Sequence, residues 1–122
     1  MKMTESLENY LETILTLSKV KPVVRAVDIA DELNFKKPSV SVAMKKLCDQ
    51  NHITITKEGY IYLTPSGEAV AKTILERHEL ISAWLMSLGV NEGTALEDAC
   101  KIEHVISSES FDAIKKHVME HK

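Results

Sequence analysis

A chain of 122 residues with 44% hydrophobic and 27% charged residues has an ordinary globular composition, which excludes disorder and fibrous repeats. The longest uncharged apolar stretches, such as 80–90, fall short of the roughly 20 residues that cross a bilayer, and a start carrying Glu5, Glu8 and Glu12 is unlike a secretory leader, so a cytoplasmic protein with no membrane partner is expected. The net charge of −3 hides an asymmetry: residues 1–66 hold nine Lys/Arg against eight Asp/Glu, and residues 67–122 hold six against ten.

Leu7, Tyr10, Leu11, Ile14, Leu15 and Leu17 recur at helical spacing, which predicts a first helix over 4–19 with Thr4 as N-cap. Lys21-Pro22 breaks it, because proline lacks a donor and biases the residue before it to extended geometry. Val27 to Leu33 reads as a short second helix with Ile29, Ala30 and Leu33 inward, and Asn34 to Lys37 as a turn. Pro38 suits the first turn of a third helix ending near Gln50. Val40, Met44 and Leu47 form its inward stripe, and Ser39, Ser41, Val42, Lys45 and Lys46 its outer face.

Ile53–Thr56 and Tyr60–Leu63 alternate in β-favouring residues around Lys57-Glu58-Gly59, the signature of a two-stranded hairpin. A long helix is expected from Ser66 to Leu88, closed by Gly89. Two more follow, Glu92 to Ile106 and Ser110 to His121. The two cysteines, Cys48 and Cys100, are expected as reduced thiols, since a chain this apolar needs no bridge.

Helix, helix, turn, helix and β-ribbon is the order of a winged helix-turn-helix, whose third helix enters the major groove. Residues 34–57 carry five lysines against Asp49 alone, which is where a polyanion would dock. Ser39, Ser41 and Val42 are small enough to approach base edges. Lys36, Lys37, Lys45, Lys46 and Lys57 can neutralise phosphates, and Pro38 and Tyr60 complete the expected DNA face. The competing reading of a lysine run is a solvated helix face, and of the fold a winged domain used for protein contacts.

Cys100, Glu103 and His104 stand at i, i+3 and i+4, so one helix face could present all three to an ion. The ordinary reading of that trio is a buried cysteine, a surface glutamate and a packed histidine. Asn9 and Glu12 form an i, i+3 pair on the first helix, and His78 lies midway down the long one. Each has a plain alternative, as a solvated face and as a surface histidine.

With Arg77-His78-Glu79-Leu80, Gly89-Val90 and the Ile-Glu-His run at 102–104, the chain resembles the diphtheria-toxin-repressor and manganese-transport-regulator family along essentially its whole length. It resembles the short members, which lack an SH3-like third domain. The resemblance implies a mainly α protein: a winged helix-turn-helix over 1–70 with a two-stranded wing, then a helical metal-binding and dimerisation domain over 71–122, the two linked by the helix 66–88. It implies metal ligands at Asn9, Glu12, His78, Cys100, Glu103 and His104. Manganese-type members carry aspartate where this chain has Asn9, and iron-type members methionine. Cys100 is the iron-type residue, where manganese-type members have a glutamate. The iron-type ancillary site is poorly matched, with Ser82 and Leu96 at the relevant positions. The expected cofactor is therefore a divalent transition metal, ferrous iron first and manganese a close second, with zinc or cobalt binding such N/O/S donors in vitro.

The expected function is metal-activated repression of transcription in metal homeostasis. Its partners would be double-stranded operator DNA and a second copy of the chain, with no organic small-molecule substrate. Dimer contacts are expected from Ile81, Trp84, Leu85, Val105, Ile106, Phe111 and Ile114, each of which could instead be intradomain core. Two other classes compete. A metal-independent winged-helix regulator would keep a vestigial site. A hydrolytic metalloenzyme would use Glu103 as general base, but the chain lacks His-Glu-x-x-His and has little wall for a substrate pocket, so no enzyme is expected.

Overall fold

The structure, a computed structural model, describes residues 4–121; the outermost positions of the two expected domains, 1–3 and Lys122, lie outside the described residues. Among the described residues, six helices and one hairpin follow in the order α1 (Glu5–Ser18), α2 (Ala26–Leu33), α3 (Lys37–Asp49), β1 (Ile53–Ile55), β2 (Ile61–Leu63), α4 (Pro65–Ser87), α5 (Glu92–Val105) and α6 (Ser108–Glu120). This is a mainly α fold with a winged helix-turn-helix at its start. The chain divides into two compact units, Met1–Lys72 and Thr73–Lys122, with the boundary inside α4. Among the described residues no helix is long and apolar enough to cross a membrane.

In the N-terminal unit the apolar stripes of three helices meet. Leu11 and Ile14 of α1, Ile29 of α2, and Val40 and Leu47 of α3 are fully buried; each such side chain contributes about 1.5–3 kcal/mol of burial free energy. Thr4 caps α1 by accepting from Leu7 N–H at 3.2 Å. The Asp28 carboxylate accepts from Arg25 N–H at 2.9 Å, which lets α2 begin one residue earlier than its apolar pattern suggests. Asn34, with φ of 56°, ends α2 in the left-handed conformation, which asparagine tolerates better than most residues. α3 begins at Lys37, so Pro38 sits inside its first turn, where a missing N–H is harmless.

The hairpin pairs Ile53 with Leu63, Thr54 with Tyr62 and Ile55 with Ile61. Ile53 and Ile61 are buried while Thr54 and Tyr62 face solvent, but Ile55, the partner of Ile61, is 42% exposed, so the alternation does not reach the end of β1. The strands are shorter than their β-favouring runs. The Thr56 hydroxyl takes the Tyr60 N–H at 3.1 Å, replacing a ladder bond by a side-chain one. A hairpin alone is marginal; this one gains a further bond, from Ile61 N–H to the Val24 carbonyl at 2.8 Å.

The C-terminal unit has its own core, in which Ile81, Ala99 and Phe111 are buried and Leu80, Leu85, Ile102 and Ile106 pack around them. Ile81 and Phe111 were expected at a dimer surface; they are instead the unit's interior, because α4, α5 and α6 close on them. Val105 is left 77% exposed. α4 ends in a Schellman turn, with Val90 N–H to Leu85 O at 3.1 Å and Gly89 N–H to Met86 O at 3.0 Å. Gly89 supplies the positive φ, 98°, that this turn requires. α6 starts two residues before the expected Ser110, because the Ser107 hydroxyl accepts from Ser110 N–H at 3.1 Å and so caps a longer helix.

The start of α4 is fastened to the turn between α3 and β1. Thr64 Oγ1 donates to Asn51 O at 2.8 Å and accepts from Gly67 N–H at 3.2 Å, while Thr64 N–H reaches His52 O at 3.0 Å. Gly67 lies directly against the His52 backbone, and a Cβ there would run into its carbonyl oxygen. Gly67→Ala is therefore expected to lower stability by about 1–3 kcal/mol, as overpacking does. Gly93→Ala, which meets only the Asn91 side chain, is expected to change little. Thermal melts of the two variants beside the parent check this, and equal melting of all three would contradict the packing.

Candidate metal centre and nucleic-acid face

The C-terminal unit brings three of the expected ligands together. Glu103, on α5, is 1% exposed. Its Oε2 lies 3.0 Å from Nδ1 of His78 on α4, and its Oε1 lies 3.3 Å from Nε2 of His104. A buried carboxylate is thus flanked by an imidazole on each side. Removing a carboxylate from water costs several kcal/mol unless charge or hydrogen bonds replace the lost hydration, so these imidazoles are a requirement of the burial. The Nδ1 of His78 and the Oε2 of Glu103, 3.0 Å apart, match adjacent positions around one small divalent ion with bonds of ~2.0–2.2 Å, whereas His104 meets the other carboxylate oxygen. The His78–Glu103 pair fits a divalent metal in both donor type and separation.

Cys100 lies one turn earlier on α5 and is an exposed thiol, so the ordinary reading of a buried cysteine beside a surface glutamate is inverted. Asn9 and Glu12 lie on α1 in the N-terminal unit, three residues apart and each half-buried.

Arg77 has a part that its place in the sequence did not disclose. Its Nη1 donates to the Glu103 carbonyl at 3.1 Å and to the Ile106 carbonyl at 3.0 Å, and its Nη2 reaches Ser108 Oγ at 3.3 Å. Its guanidinium also lies 5.5 Å from the centroid of the Phe111 ring, within cation–π range. The last carbonyls of a helix lack partners and carry partial negative charge. Arg77 satisfies two carbonyls at the end of α5 and ties α4, α5 and the start of α6 together around the turn that bears Glu103.

On the N-terminal unit, the outer face of α3 is as its pattern implies. Ser39, Ser41, Val42, Lys45 and Lys46 are all exposed, as are Lys36, Lys37, Pro38 and Lys57. Val42 is 58% exposed, a large apolar group facing water among small polar and cationic ones. Tyr60 is half-buried and has a cationic neighbour: the Arg25 guanidinium lies 5.0 Å from its ring centroid, and Nη2 is 3.3 Å from its hydroxyl. Arg25 thus adds a positive charge beside the wing. No local pattern points to it, because it lies 35 residues before Tyr60 in the chain.

Two sequence families match. Residues 2–69 match the iron dependent repressor N-terminal DNA binding domain, and residues 64–122 match the iron dependent repressor metal binding and dimerisation domain. The HTH-type transcriptional regulator MntR of Listeria welshimeri is 37% identical over 111 residues, covering 91% of this chain and 78% of its own. Its namesake in Bacillus pumilus is 35% identical over 111 residues, covering 91% and 77%. Among solved structures, the manganese regulator SloR superposes with a TM-score of 0.80 at 27% identity, covering 97% of this chain and 54% of that one. The T. acidophilum IdeR does so with 0.79 at 28%, covering 97% and 55%. The chain spans about half the length of these two solved proteins.

Arg77→Ala is expected to lower stability by about 2 kcal/mol, the scale of hydrogen bonds to a charged group. It is also expected to speed amide exchange at the end of α5 and the start of α6. Arg77→Lys should recover only part of the loss, since an ammonium lacks the planar fork that spans two carbonyls. Denaturant midpoints with hydrogen exchange test this; unchanged protection near residues 103–108 in the alanine variant would remove the clamp.

Proposed function

The chain belongs to the iron dependent repressor family, and from that premise we propose that it is a metal-activated, DNA-binding repressor acting as a homodimer in metal homeostasis. The observation that carries the metal half of this reading is the buried Glu103 carboxylate between His78 and His104. The proposed ligand set is Asn9, Glu12, His78, Cys100, Glu103 and His104. For Asn9, Glu12 and Cys100 the support is the family resemblance together with their donor types.

When bound, the ion supplies positive charge and a fixed coordination geometry. His78 and His104 contribute neutral imidazole nitrogens, Glu103 and Glu12 anionic oxygens, Cys100 a sulfur, and Asn9 a neutral amide oxygen weaker than the aspartate of manganese-type members. Because Asn9 and Glu12 belong to the DNA-reading segment and the other four to the second domain, coordination by both sets is what couples metal concentration to DNA affinity. Such coupling is typically about 1–3 kcal/mol. A symmetric dimer meets two half-sites only when its reading helices are held at the matching spacing.

For the identity of the ion, the Cys100 thiol draws the preference toward borderline metals, which places ferrous iron ahead of manganese. Similarity to a manganese regulator keeps manganese close behind. On the DNA side, the small residues Ser39, Ser41 and Val42 read base edges while Lys36, Lys37, Lys45, Lys46 and Lys57 contact phosphates, with Pro38 and Tyr60 at the margins of the same face.

Two experiments test the two halves. Operator retardation is compared in chelator and in anaerobic ferrous iron or manganese, for the parent and for Glu103→Ala and His104→Ala. The variants are expected to retain helix content and to lose the metal response, whereas equal DNA affinity with and without metal in the parent would favour a metal-independent regulator. For the reading face, Lys45→Ala or Lys46→Ala should weaken all DNA sequences alike and reduce the salt slope of log K by roughly 0.9 per lost phosphate contact. Ser39 and Val42 substitutions should alter operator preference by about 1–3 kcal/mol at a contacted base pair. Unaltered discrimination in the Ser39 and Val42 variants would remove α3 as the reading helix.

A further inference from the structure

The last helix carries two imidazoles that the proposed regulatory centre does not use. His117 and His121 stand four residues apart at the end of α6, so they lie on one helix face. Their rings are 4.2 Å apart, centroid to centroid, with planes tilted by 31°, and both residues are exposed. His121 Nδ1 lies 2.9 Å from the His117 carbonyl oxygen. A carbonyl oxygen can only accept, so Nδ1 bears the hydrogen, and in the neutral ring Nε2 keeps the lone pair. One ring nitrogen donating to a backbone carbonyl while the other is left as a donor to metal is the usual state of a ligating histidine.

Both imidazoles line a groove of about 340 Å³ between α4 and α6, whose walls include Trp84, Ser87 and Leu88. The groove gives an ion room for the water ligands that two protein donors leave unfilled. Of the two lysines beside His117 on α6, Lys115 is held by Glu76 at 2.9 Å, and Lys116 is the immediate chain neighbour of His117, a spacing at which helix side chains do not face each other.

We propose that His117 and His121 form a second metal-binding site, independent of the Glu103 centre, that takes borderline divalent cations such as nickel, copper or zinc through two imidazole nitrogens. Its donor set differs in kind from that of the Glu103 centre, having neither carboxylate nor thiol. Imidazole suits these cations, while manganese prefers oxygen donors and stands lowest in the first-row affinity order. The site therefore discriminates against manganese by its donor chemistry.

Trp84 is the single tryptophan of the chain and lines the same groove, so a paramagnetic ion bound there should quench its fluorescence. The test titrates the full chain with nickel(II), and in parallel the variants His117→Gln, His121→Ala and His104→Ala, with circular dichroism confirming helix content. Quenching is expected in the parent and at the same midpoint in His104→Ala, whereas manganese should not reproduce it. Losing one of two chelating donors should raise the midpoint by about a hundredfold in His117→Gln and His121→Ala. Parent-like quenching in both variants, absence of quenching in the parent, or its loss in His104→Ala alone would each overturn the proposal. None of these outcomes bears on metal-dependent DNA binding, which is read separately by retardation.

Discussion

The C-terminal unit depends on two neighbouring residues of α4 that act on one turn of α5. Arg77 holds the backbone of that turn through the carbonyls of Glu103 and Ile106, and His78 meets the Glu103 carboxylate. A buried carboxylate is costly unless its partners are fixed, and partners on a mobile helix end would not be fixed. The guanidinium therefore makes the burial of Glu103 tolerable by immobilising the segment that carries it. Its contact with the Phe111 ring joins this polar cluster to the apolar core formed with Ile81 and Ala99.

The N-terminal unit has a different constraint. Its three-helix core leaves the outer face of α3 free of packing duties, so that face can be small, polar and cationic without loss of stability. The wing is secured from below by Ile53 and Ile61 and from the side by the bond to Val24, while the hydrogen bonds of Thr64 and Ser66 to Asn51 and the packing of Gly67 against His52 set where α4 begins. The charge asymmetry along the sequence follows this division of labour. Excess lysine sits where a polyanion would approach, and excess acid lies in the half that bears four of the six proposed metal donors.

The donor set proposed for this chain is a hybrid within its family, with a thiol at Cys100 and an amide at Asn9. On that proposal, each would stand where manganese-type members have a hard anionic oxygen, and both would weaken the preference for manganese by different routes: the thiol would add affinity for softer ions, and the amide would remove charge from a site suited to a hard one.

The sequence by itself determined what depends on local periodicity and on short-range hydrogen bonding. The helix faces of α1 and α3, the Thr4 cap, the Gly89 turn and the two β-favouring runs of the wing all arise from groups within a few residues of one another, and a family resemblance could be read from its short runs. Element ends departed where a side chain intervened, as Thr56 did at the hairpin and Ser107 at α6, because a single hydroxyl competes with the backbone for one N–H. Only the tertiary structure decided which apolar residues form the interior of the C-terminal unit, moving Ile81 and Phe111 from a supposed dimer face into its core. Spacing grouped Cys100 with Glu103 and His104. It could not tell that Glu103 is buried while Cys100 is exposed, or that the adjacent residues Glu103 and His104 approach one another, since i and i+1 do not face each other on a helix. The parts played by Arg77 and Arg25 were equally illegible, because each acts on residues about 30 positions away, and contacts at that distance exist only once the helices have packed.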